Sequence, residues 1–346
     1  MVKVTMIDPH EAHFVAQERA RQSAFFETYL PGESGFEGSA YRLAPANRLS
    51  NLNPAIRNIA ERYYSDNAIA WHQHAAHGLS SQVCCLNFLM PLATRPEMLA
   101  RLVQSALGGD LPEMLEVEKG PDGEPWFVGF EWIGRKDYLN EWPRTGSPKR
   151  GANVTSADAI VRFRQAGRVE TLLIEWKYTE SYGAPPEPKR EAERLRRYQN
   201  IAFAPFGPLR SNADLKLPDL FWEPFYQLFR QQMLASRMQA VQEDGAERVR
   251  VLHIAPATNR RLTRVTSPAM RPIGDNAFKV YRSLLTEADD FISRSTESLF
   301  SPLIAEALAG DAWAKYLRSR YVFLADPASS SPNEMPTAQI PTSKLT

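Results

Sequence analysis

The sequence predicts an α/β fold with a mixed central β-sheet flanked by helices. Apolar, strand-like segments occupy the middle of the chain, and segments with apolar residues at helical spacing lie before and after them. Further helical segments separate the last predicted strand from the earlier ones. This order of helix, strands, helix and strand is typical of a sheet that packs helices against its faces.

The helical additions are predicted at both ends. Residues 1–110 are expected to be a mainly helical region packed on the core. Within it, 96-PEMLARLVQSAL-107 begins with proline and is followed by two glycines, which are typical start and stop signals of a helix. Residues 266–325 are expected to form a second helical region. Residues 326–346 are rich in Pro, Ser and Thr and are predicted to be disordered.

The core is predicted within residues 111–265. Its strand-like segments cover residues 126–134, 157–164, 169–178 and 249–257. The second and third of them are separated by Gln165-Ala166-Gly167-Arg168, so that they predict a β-hairpin with glycine in its turn. Two helices are predicted between this hairpin and the last strand, at residues 189–202 and 224–241.

The bulk composition is that of an ordinary folded protein. The 346 residues are 43% hydrophobic and 23% charged, and the formal net charge is only +1. Any attraction to nucleic acid or membrane must therefore come from local patches. The two cysteines, Cys84 and Cys85, are adjacent and predict no structural disulfide, which indicates a reducing compartment. With no segment resembling a signal peptide or a membrane span, we expect a cytoplasmic protein with no membrane partner.

The predicted strand 171-TLLIEWKYTES-181 carries Glu175 and Lys177 inside an apolar run. A two-residue or a four-residue turn in the hairpin gives the same register, in which paired residue numbers sum to 333. Asp158 then lies opposite Glu175, with Cβ atoms about 4.5–5.5 Å apart. Lys177 shares their face because side chains alternate along a strand. The other face collects apolar residues, namely Ala159, Val161, Phe163, Leu172, Ile174 and Trp176.

This cluster has a chemistry that its residue types suggest. Two carboxylates held so close repel each other unless a proton or a cation lies between them. Mg²⁺ suits such a pair and keeps several waters for a substrate phosphate. A lysine two residues further on could help to deprotonate a water or could stabilise charge on phosphate. The arrangement fits metal-assisted phosphodiester hydrolysis, although spacing alone leaves open a cross-strand ion pair on a solvated sheet face.

Asp158, Glu175 and Lys177, spaced D-x₁₆-E-x-K, resemble the PD-(D/E)XK nuclease superfamily. More closely, residues 151–163, 173–180 and 78–92 look like a bacterial group of restriction endonuclease-like proteins. The resemblance covers roughly residues 70–260. It implies a restriction-endonuclease-like core and a nuclease that hydrolyses DNA with Mg²⁺, for which Mn²⁺ can substitute. It also implies a restriction or defence role.

The resemblance implies roles for single residues. Asp158 and Glu175 would bind the metal together with the backbone carbonyl of Trp176, and Lys177 would be the catalytic lysine. Glu131 would supply a further acid, with Glu118 as the weaker candidate, although Glu131 could equally be an ordinary surface residue. Many relatives carry a Gln or Tyr on a later helix, a position for which Gln227 is favoured over Tyr198-Gln199.

Basic residues near the predicted site could contact the phosphates of DNA, the expected partner. The favoured residues are Lys149, Arg150, Arg260 and Arg261. The basic helix at 189–202 is interpreted instead as an ordinary solvated helix, because it also carries Glu191 and Glu193. No motif for sequence-specific recognition is visible, and the sequence leaves open RNA as a substrate and a homodimer as the assembly.

Two other functions are compatible with the sequence. The first is a catalytically silent nuclease-fold protein that binds nucleic acid or a partner. The second is a zinc hydrolase that uses His72, His74 and His77, because closely spaced histidines are typical zinc ligands. Its supporting aspartate is missing, since Ala76 stands where that motif would carry an acid.

Overall fold

The computed structural model describes residues 9–182, 186–204, 207–210, 215–307 and 310–325. The tail at 326–346, predicted to be disordered, lies outside the described residues. No helix in the described part of the chain is long and apolar enough to cross a membrane.

The described residues form an α/β fold around one large mixed sheet. The strands of this sheet are β1 (Glu113–Leu115), β4 (Val128–Trp132), β5 (Ala157–Gln165), β6 (Arg168–Trp176), β7 (Arg248–Ala255) and β8 (Phe291–Ser295). A separate two-stranded sheet consists of β2 (Glu118–Lys119) and β3 (Pro125–Trp126). The α-helices are α1 (Pro9–Tyr29), α2 (Arg57–Asp66), α3 (Ser81–Leu89), α4 (Pro96–Leu107), α5 (Pro188–Ala202), α6 (Phe225–Ala240), α7 (Ala277–Leu284), α8 (Thr296–Glu306) and α9 (Ala312–Arg320).

The six-stranded sheet has the order β1-β5-β6-β7-β8, and β4 pairs with β5 on the same edge as β1. Strand β5 runs antiparallel to β1, β4 and β6. Strand β7 runs parallel to both β6 and β8. The predicted mixed sheet flanked by helices is therefore confirmed.

The predicted hairpin is present with the predicted register. Gln165 pairs with Arg168, and the ladder continues to Ala159 opposite Ile174. Ala166 and Gly167 both have positive φ, 49° and 80°, as a two-residue type I′ turn requires. The turn geometry thus fixes which side chains of β5 and β6 share a face.

The sheet packs a hydrophobic cluster on each face. The first cluster contains all six apolar residues predicted for one face of the hairpin, together with side chains of α3, α4, α8 and α9. The second contains Ile160 and Leu173 from the opposite face and side chains of α5, α6 and α7. Full burial of one such large apolar side chain contributes about 1.5–3 kcal/mol to folding, so both faces are firmly covered.

One strand lies in the C-terminal region that was predicted to be helical. Strand β8 falls within residues 266–325 and joins the sheet beside β7. That expectation is corrected because Phe291 and Ile292 point to opposite faces, one into each hydrophobic cluster. This C-terminal region thus supplies an edge strand to the core sheet as well as covering it with helices.

The ladder between β5 and β6 stops just before Asp158, and this opens the sheet. Beyond Ala159 and Ile174, β5 continues to pair with β4, where Ala157 lies opposite Trp132. The Asp158 carboxylate takes the place of a backbone acceptor, because its Oδ2 accepts a 2.6 Å hydrogen bond from the Trp176 amide. The separation of the two strands creates the cleft described next.

Candidate active site

Four charged residues converge at this opening from three adjacent strands. Extending the two registers by one residue beyond Phe130–Ala159 and Ala159–Ile174 brings Glu131 of β4 beside Asp158 of β5, and Asp158 beside Glu175 near the end of β6. Lys177 follows two residues later on the same face as Glu175. The structure thus brings together the residues that the hairpin register and the family resemblance had separately suggested.

A cleft of ≈ 180 Å³ opens onto this cluster. Glu131, Asp158, Lys177 and Gln227 line it together with neighbours from the preceding loops and α6, which are His72, Ser81, Gly151, Val154, Thr155, Ser156, Arg230 and Gln231. Glu175 lies deeper and is only 1% exposed. A ligand that enters the cleft would therefore meet Asp158 and Lys177 before it meets Glu175.

Three donors hold the Glu175 carboxylate. Oε1 lies 2.5 Å from the Lys177 Nζ and accepts a 2.5 Å hydrogen bond from Gln227 Nε2. Oε2 accepts a 2.8 Å bond from Gln231 Nε2, four residues further along α6. Lys177 is itself 7% exposed, so the interpretation of an ion pair on a solvated sheet face does not describe this site.

Asp158 and the Trp176 backbone face each other. The N–H and C=O of one strand residue point towards the same neighbouring strand, and the Trp176 N–H binds the Asp158 carboxylate. The Trp176 carbonyl therefore points to the Asp158 side of β6. This is the placement that a shared cation with Asp158 would require.

Glu131 is buried, with 3% of its surface exposed, and its side chain is held by residues of α3 and of the loop before α3. Its Oε1 accepts a 2.8 Å hydrogen bond from Gln82 Nε2 and lies 3.4 Å from His72 Nε2. Its backbone is left-handed, with φ 50°, which is uncommon for a residue with a side chain. Gly151 completes the enclosure, since a Cβ there would lie 3.0 Å from the Glu131 carboxylate.

Burial dominates the electrostatics of the cluster. It raises the pKa of Glu131, Asp158 and Glu175 to about 7 each, and a neighbouring carboxylate raises each pKa further. For Lys177, burial lowers the pKa, but Glu175 and other acidic neighbours outweigh it and hold the pKa well above its usual value. Burial, and then Lys177, lower the pKa of His72, so that His72 is neutral beside Glu131.

The donor set fits a hard divalent cation bound by few protein ligands. Carboxylate and carbonyl oxygens are the ligands that Mg²⁺ prefers, and Mg²⁺ commonly uses one or two carboxylates and completes its shell with water. Within the described ranges, no three His, Cys, Asp or Glu side chains form a ready metal cage. The oxygen atoms that would hold such a cation are those of Asp158, Glu175 and the Trp176 carbonyl.

The three histidines do not form a zinc site. The His74 ring contacts Gln73 at 3.1 Å, whereas His77 packs edge-on against Tyr41 and its Nδ1 accepts from the Leu79 amide. Only His72 reaches the cleft. The zinc-hydrolase alternative is thus without a ligand set in the part of the chain that the structure describes.

Arg150 is placed differently from what the sequence suggested. Its side chain is only 12% exposed, and its guanidinium donates to Glu118, Tyr63 and Asn67 and to the carbonyls of Phe130 and Glu131. These bonds fix β4 beside the cleft, and they pair the charge of Arg150 with groups of the protein itself.

The other three basic residues that were favoured lie outside the cleft lining. Lys149 and Arg260 are exposed, and Arg261 is half-buried. Arg260 and Arg261 follow Asn259, whose Nδ2 donates to the carbonyls of Tyr178 and Glu180 and so ties this loop to the segment after Lys177.

Sequence reasoning missed Gly151 and Glu141. Gly151 was visible only as part of a family-like string, and its role depends on the distance to Glu131 in space. Glu141 lies in a loop, where it accepts hydrogen bonds from the Thr155 amide and the Tyr198 hydroxyl, each at 2.5 Å. It links the loop before β5 to α5, a connection that no local sequence pattern predicts.

The fold and the cleft define an α/β protein with a buried carboxylate–lysine cluster at the end of a mixed sheet. A family model described as "Restriction Endonuclease associating with ARP" matches residues 13–322, and the chain belongs to this family. No curated protein and no solved structure shows significant similarity to the chain.

Proposed function

We propose that the protein is a metal-dependent nuclease of the PD-(D/E)XK type. The observation that carries the proposal is the convergence of Glu131, Asp158, Glu175 and Lys177, from neighbouring strands, on one cleft. A surface ion pair would not require burial of three acids, since unpaired buried charges are costly. The family description supports the assignment, because it names a restriction endonuclease.

Asp158 and Glu175 would hold Mg²⁺, or Mn²⁺ in its place, together with the Trp176 carbonyl. The ion would supply Lewis-acid stabilisation of the phosphate and would ease ionisation of the attacking water. Gln227 and Gln231 fix the orientation of Glu175 through their amide groups. They keep the carboxylate in place without adding charge to the site.

Lys177 is suited to stabilise negative charge on the phosphate. Its Nζ lies 2.5 Å from Glu175, and this contact favours the charged ammonium. Of the two roles that the sequence left open, this favours the cation over the base. A compact ammonium on the cleft wall can donate a hydrogen bond to a non-bridging phosphate oxygen as its charge increases.

Glu131 is the group best placed to take a proton from the attacking water. It lines the cleft, and burial raises its pKa to about 7, close to the pH at which a general base works best. Neutral His72 lies 3.4 Å from Glu131 and would orient the carboxylate. Both roles use groups already in the cleft wall.

DNA is the proposed substrate, and a restriction or defence role follows from the family description. The same description names an association with ARP, so association with ARP is part of the proposal. The assay below includes RNA as well as DNA and so distinguishes between the two substrates.

The decisive assay measures cleavage of supercoiled plasmid, single-stranded DNA and RNA with Mg²⁺, Mn²⁺ or EDTA. Asp158→Asn and Lys177→Met should each lower the rate by about 10²-fold or more, because each removes charge stabilisation at the reacting phosphate. Asp66→Asn and Lys279→Met, matched changes at exposed positions, should cleave like the parent.

Equal cleavage by all five proteins would refute the site assignment. Binding of DNA without metal-dependent cleavage by the parent would instead favour the catalytically silent alternative.

A further inference from the structure

A second, basic groove continues from the cleft along α5. It has a volume of ≈ 360 Å³, and Val154 and Arg230 line both it and the cleft. Arg190, Arg194 and Arg197 form one of its walls. Their spacing of four and three residues places them on one face of the helix, so α5 presents a row of guanidinium groups beside the candidate active site.

The acids in the groove are already neutralised by protein partners. Glu193 forms a 2.5 Å ion pair with Arg197. Glu141 accepts hydrogen bonds from the Tyr198 hydroxyl and the Thr155 amide, and it lies 3.7 Å from Arg230. The groove therefore keeps a positive character after these pairs are formed.

Arg194 forms no ion pair with a carboxylate among the residues that the structure describes. Its guanidinium carbon lies 3.9 Å from the centre of the Tyr226 ring and 5.6 Å from that of Phe221, so that aromatic rings fix its position. Its Nη1 atom is buried but has no hydrogen-bond partner among the residues that the structure describes. A buried donor without an acceptor costs about 1–3 kcal/mol, a cost that an oxygen atom of a ligand in the groove would remove.

We infer that this groove binds a phosphate of the nucleic-acid strand being cut, next to the scissile phosphate, with Arg194 as its main contact. The inference rests on the proposed nuclease function. Arginine forks match phosphate oxygens, and contacts to the backbone position a strand without reading its sequence. A polynucleotide strand is the ligand that places a second phosphate in a groove continuous with the cleft.

This assignment reverses the preference predicted from the sequence between two basic regions, in which Arg150 ranks ahead of the helix at 189–202. The helix that carries Arg194 had the composition of a solvated helix, whereas Arg150 is committed to Glu118. Exposed Arg196 lies on the same helix but does not line the groove. It therefore provides a matched control with the same side chain, the same helix and the same change in net charge.

The test measures binding of fluorescent single-stranded and duplex DNA by anisotropy in EDTA, over a series of salt concentrations. Arg194→Ala should raise Kd about tenfold, as expected for loss of one charge-assisted hydrogen bond. It should also reduce the slope of log K against log salt by about 0.7–0.9. Arg196→Ala should change neither quantity by a comparable amount.

A substrate-side measurement keeps the test independent of folding of the variant. Single phosphates around the cut site are replaced in turn by neutral methylphosphonates and tested with the unmodified protein. One position beside the cut should weaken binding about tenfold, and Arg194→Ala should be insensitive to that replacement.

The outcomes separate the groove from the nuclease function. If the parent cleaves DNA but Arg194→Ala behaves like Arg196→Ala, the groove assignment is wrong and the nuclease proposal stands. Equal effects of every methylphosphonate would lead to the same conclusion. If the parent neither binds nor cleaves nucleic acid, both proposals are overturned.

Discussion

Asp158→Asn should stabilise the metal-free protein while it strongly lowers the rate of cleavage. Burial, with Glu131 adding to it, raises the pKa of Asp158 from 3.8 to about 7, so the ionised form is disfavoured in the folded chain. That difference corresponds to about 4 kcal/mol at pH 8, and the part-exposure of Asp158 reduces the expected gain to about 2–4 kcal/mol. Asparagine removes the charge, and its oxygen can still accept from the Trp176 amide.

The pH dependence has a definite sign. A carboxyl group whose folded pKa is raised binds more protons in the folded state than in the unfolded state. The contribution of the protonated Asp158 side chain to the free energy of unfolding is fully present below the unfolded pKa of 3.8 and is lost as the pH rises to about 7. The advantage of Asp158→Asn should therefore be greatest at pH 8, fall to about half at pH 5.5 and vanish near pH 4.

The assay is denaturant-induced unfolding in EDTA at these three pH values, repeated with 10 mM Mg²⁺. Magnesium should stabilise the parent and not Asp158→Asn, because a ligand stabilises only a state that binds it. A variant that is less stable than the parent at pH 8, or a difference that does not change with pH, would refute the reasoning. Asp66→Asn, at an exposed position, supplies the baseline.

The remaining predictions use the same measurements. Glu175→Gln should remove the stabilisation by Mg²⁺ as Asp158→Asn does, because it takes away the second proposed carboxylate ligand; a magnesium effect equal to that of the parent would refute the proposed role of Glu175. Gly151→Ala should lower cleavage more than Gly146→Ala, because both glycines have positive φ but only Gly151 has the Glu131 carboxylate within 3.0 Å of an added Cβ; equal losses would show backbone strain alone. Arg150→Ala should destabilise by about 3 kcal/mol or more in unfolding experiments and leave the salt slope of DNA binding unchanged; a reduced slope would assign Arg150 to the DNA.

The hairpin was predictable because every signal for it is local. The turn at Ala166 and Gly167 fixes the register, and strict alternation then assigns each side chain to a face. Arithmetic on residue numbers could therefore place Asp158 beside Glu175. The same reasoning gave the apolar face of both strands.

The rest of the site depends on contacts between distant segments. Glu131 reaches the cluster because β4 pairs with β5, and no turn of fixed length connects these strands. Strand β8 has five residues, of which only Phe291 and Ile292 are buried, and this pattern is too short to distinguish it from a helix. The sequence does not distinguish Arg150 from Arg194. Their surroundings in the structure show that Arg150 pairs with Glu118, whereas Arg194 Nη1 has no hydrogen-bond partner among the described residues.

The hydrogen-bond partners of the carboxylates in the cleft are stronger evidence for a bound cation than the presence of the acids alone. Half-buried Glu118 is neutralised by Arg150, which is the usual way in which an acid withdrawn from water is accommodated. In the cleft, Glu131 and Glu175 are held mainly by neutral amides, from Gln82 in one case and from Gln227 and Gln231 in the other.

Amides orient a carboxylate without cancelling its charge. Three acids against the single Lys177 ammonium leave two negative charges in a site of low dielectric constant when all of them are ionised. A divalent cation would balance that charge, and without one, protons do so at pH values up to about 7. A cluster built only for stability would have used a second arginine, as the chain does at Glu118 in β2.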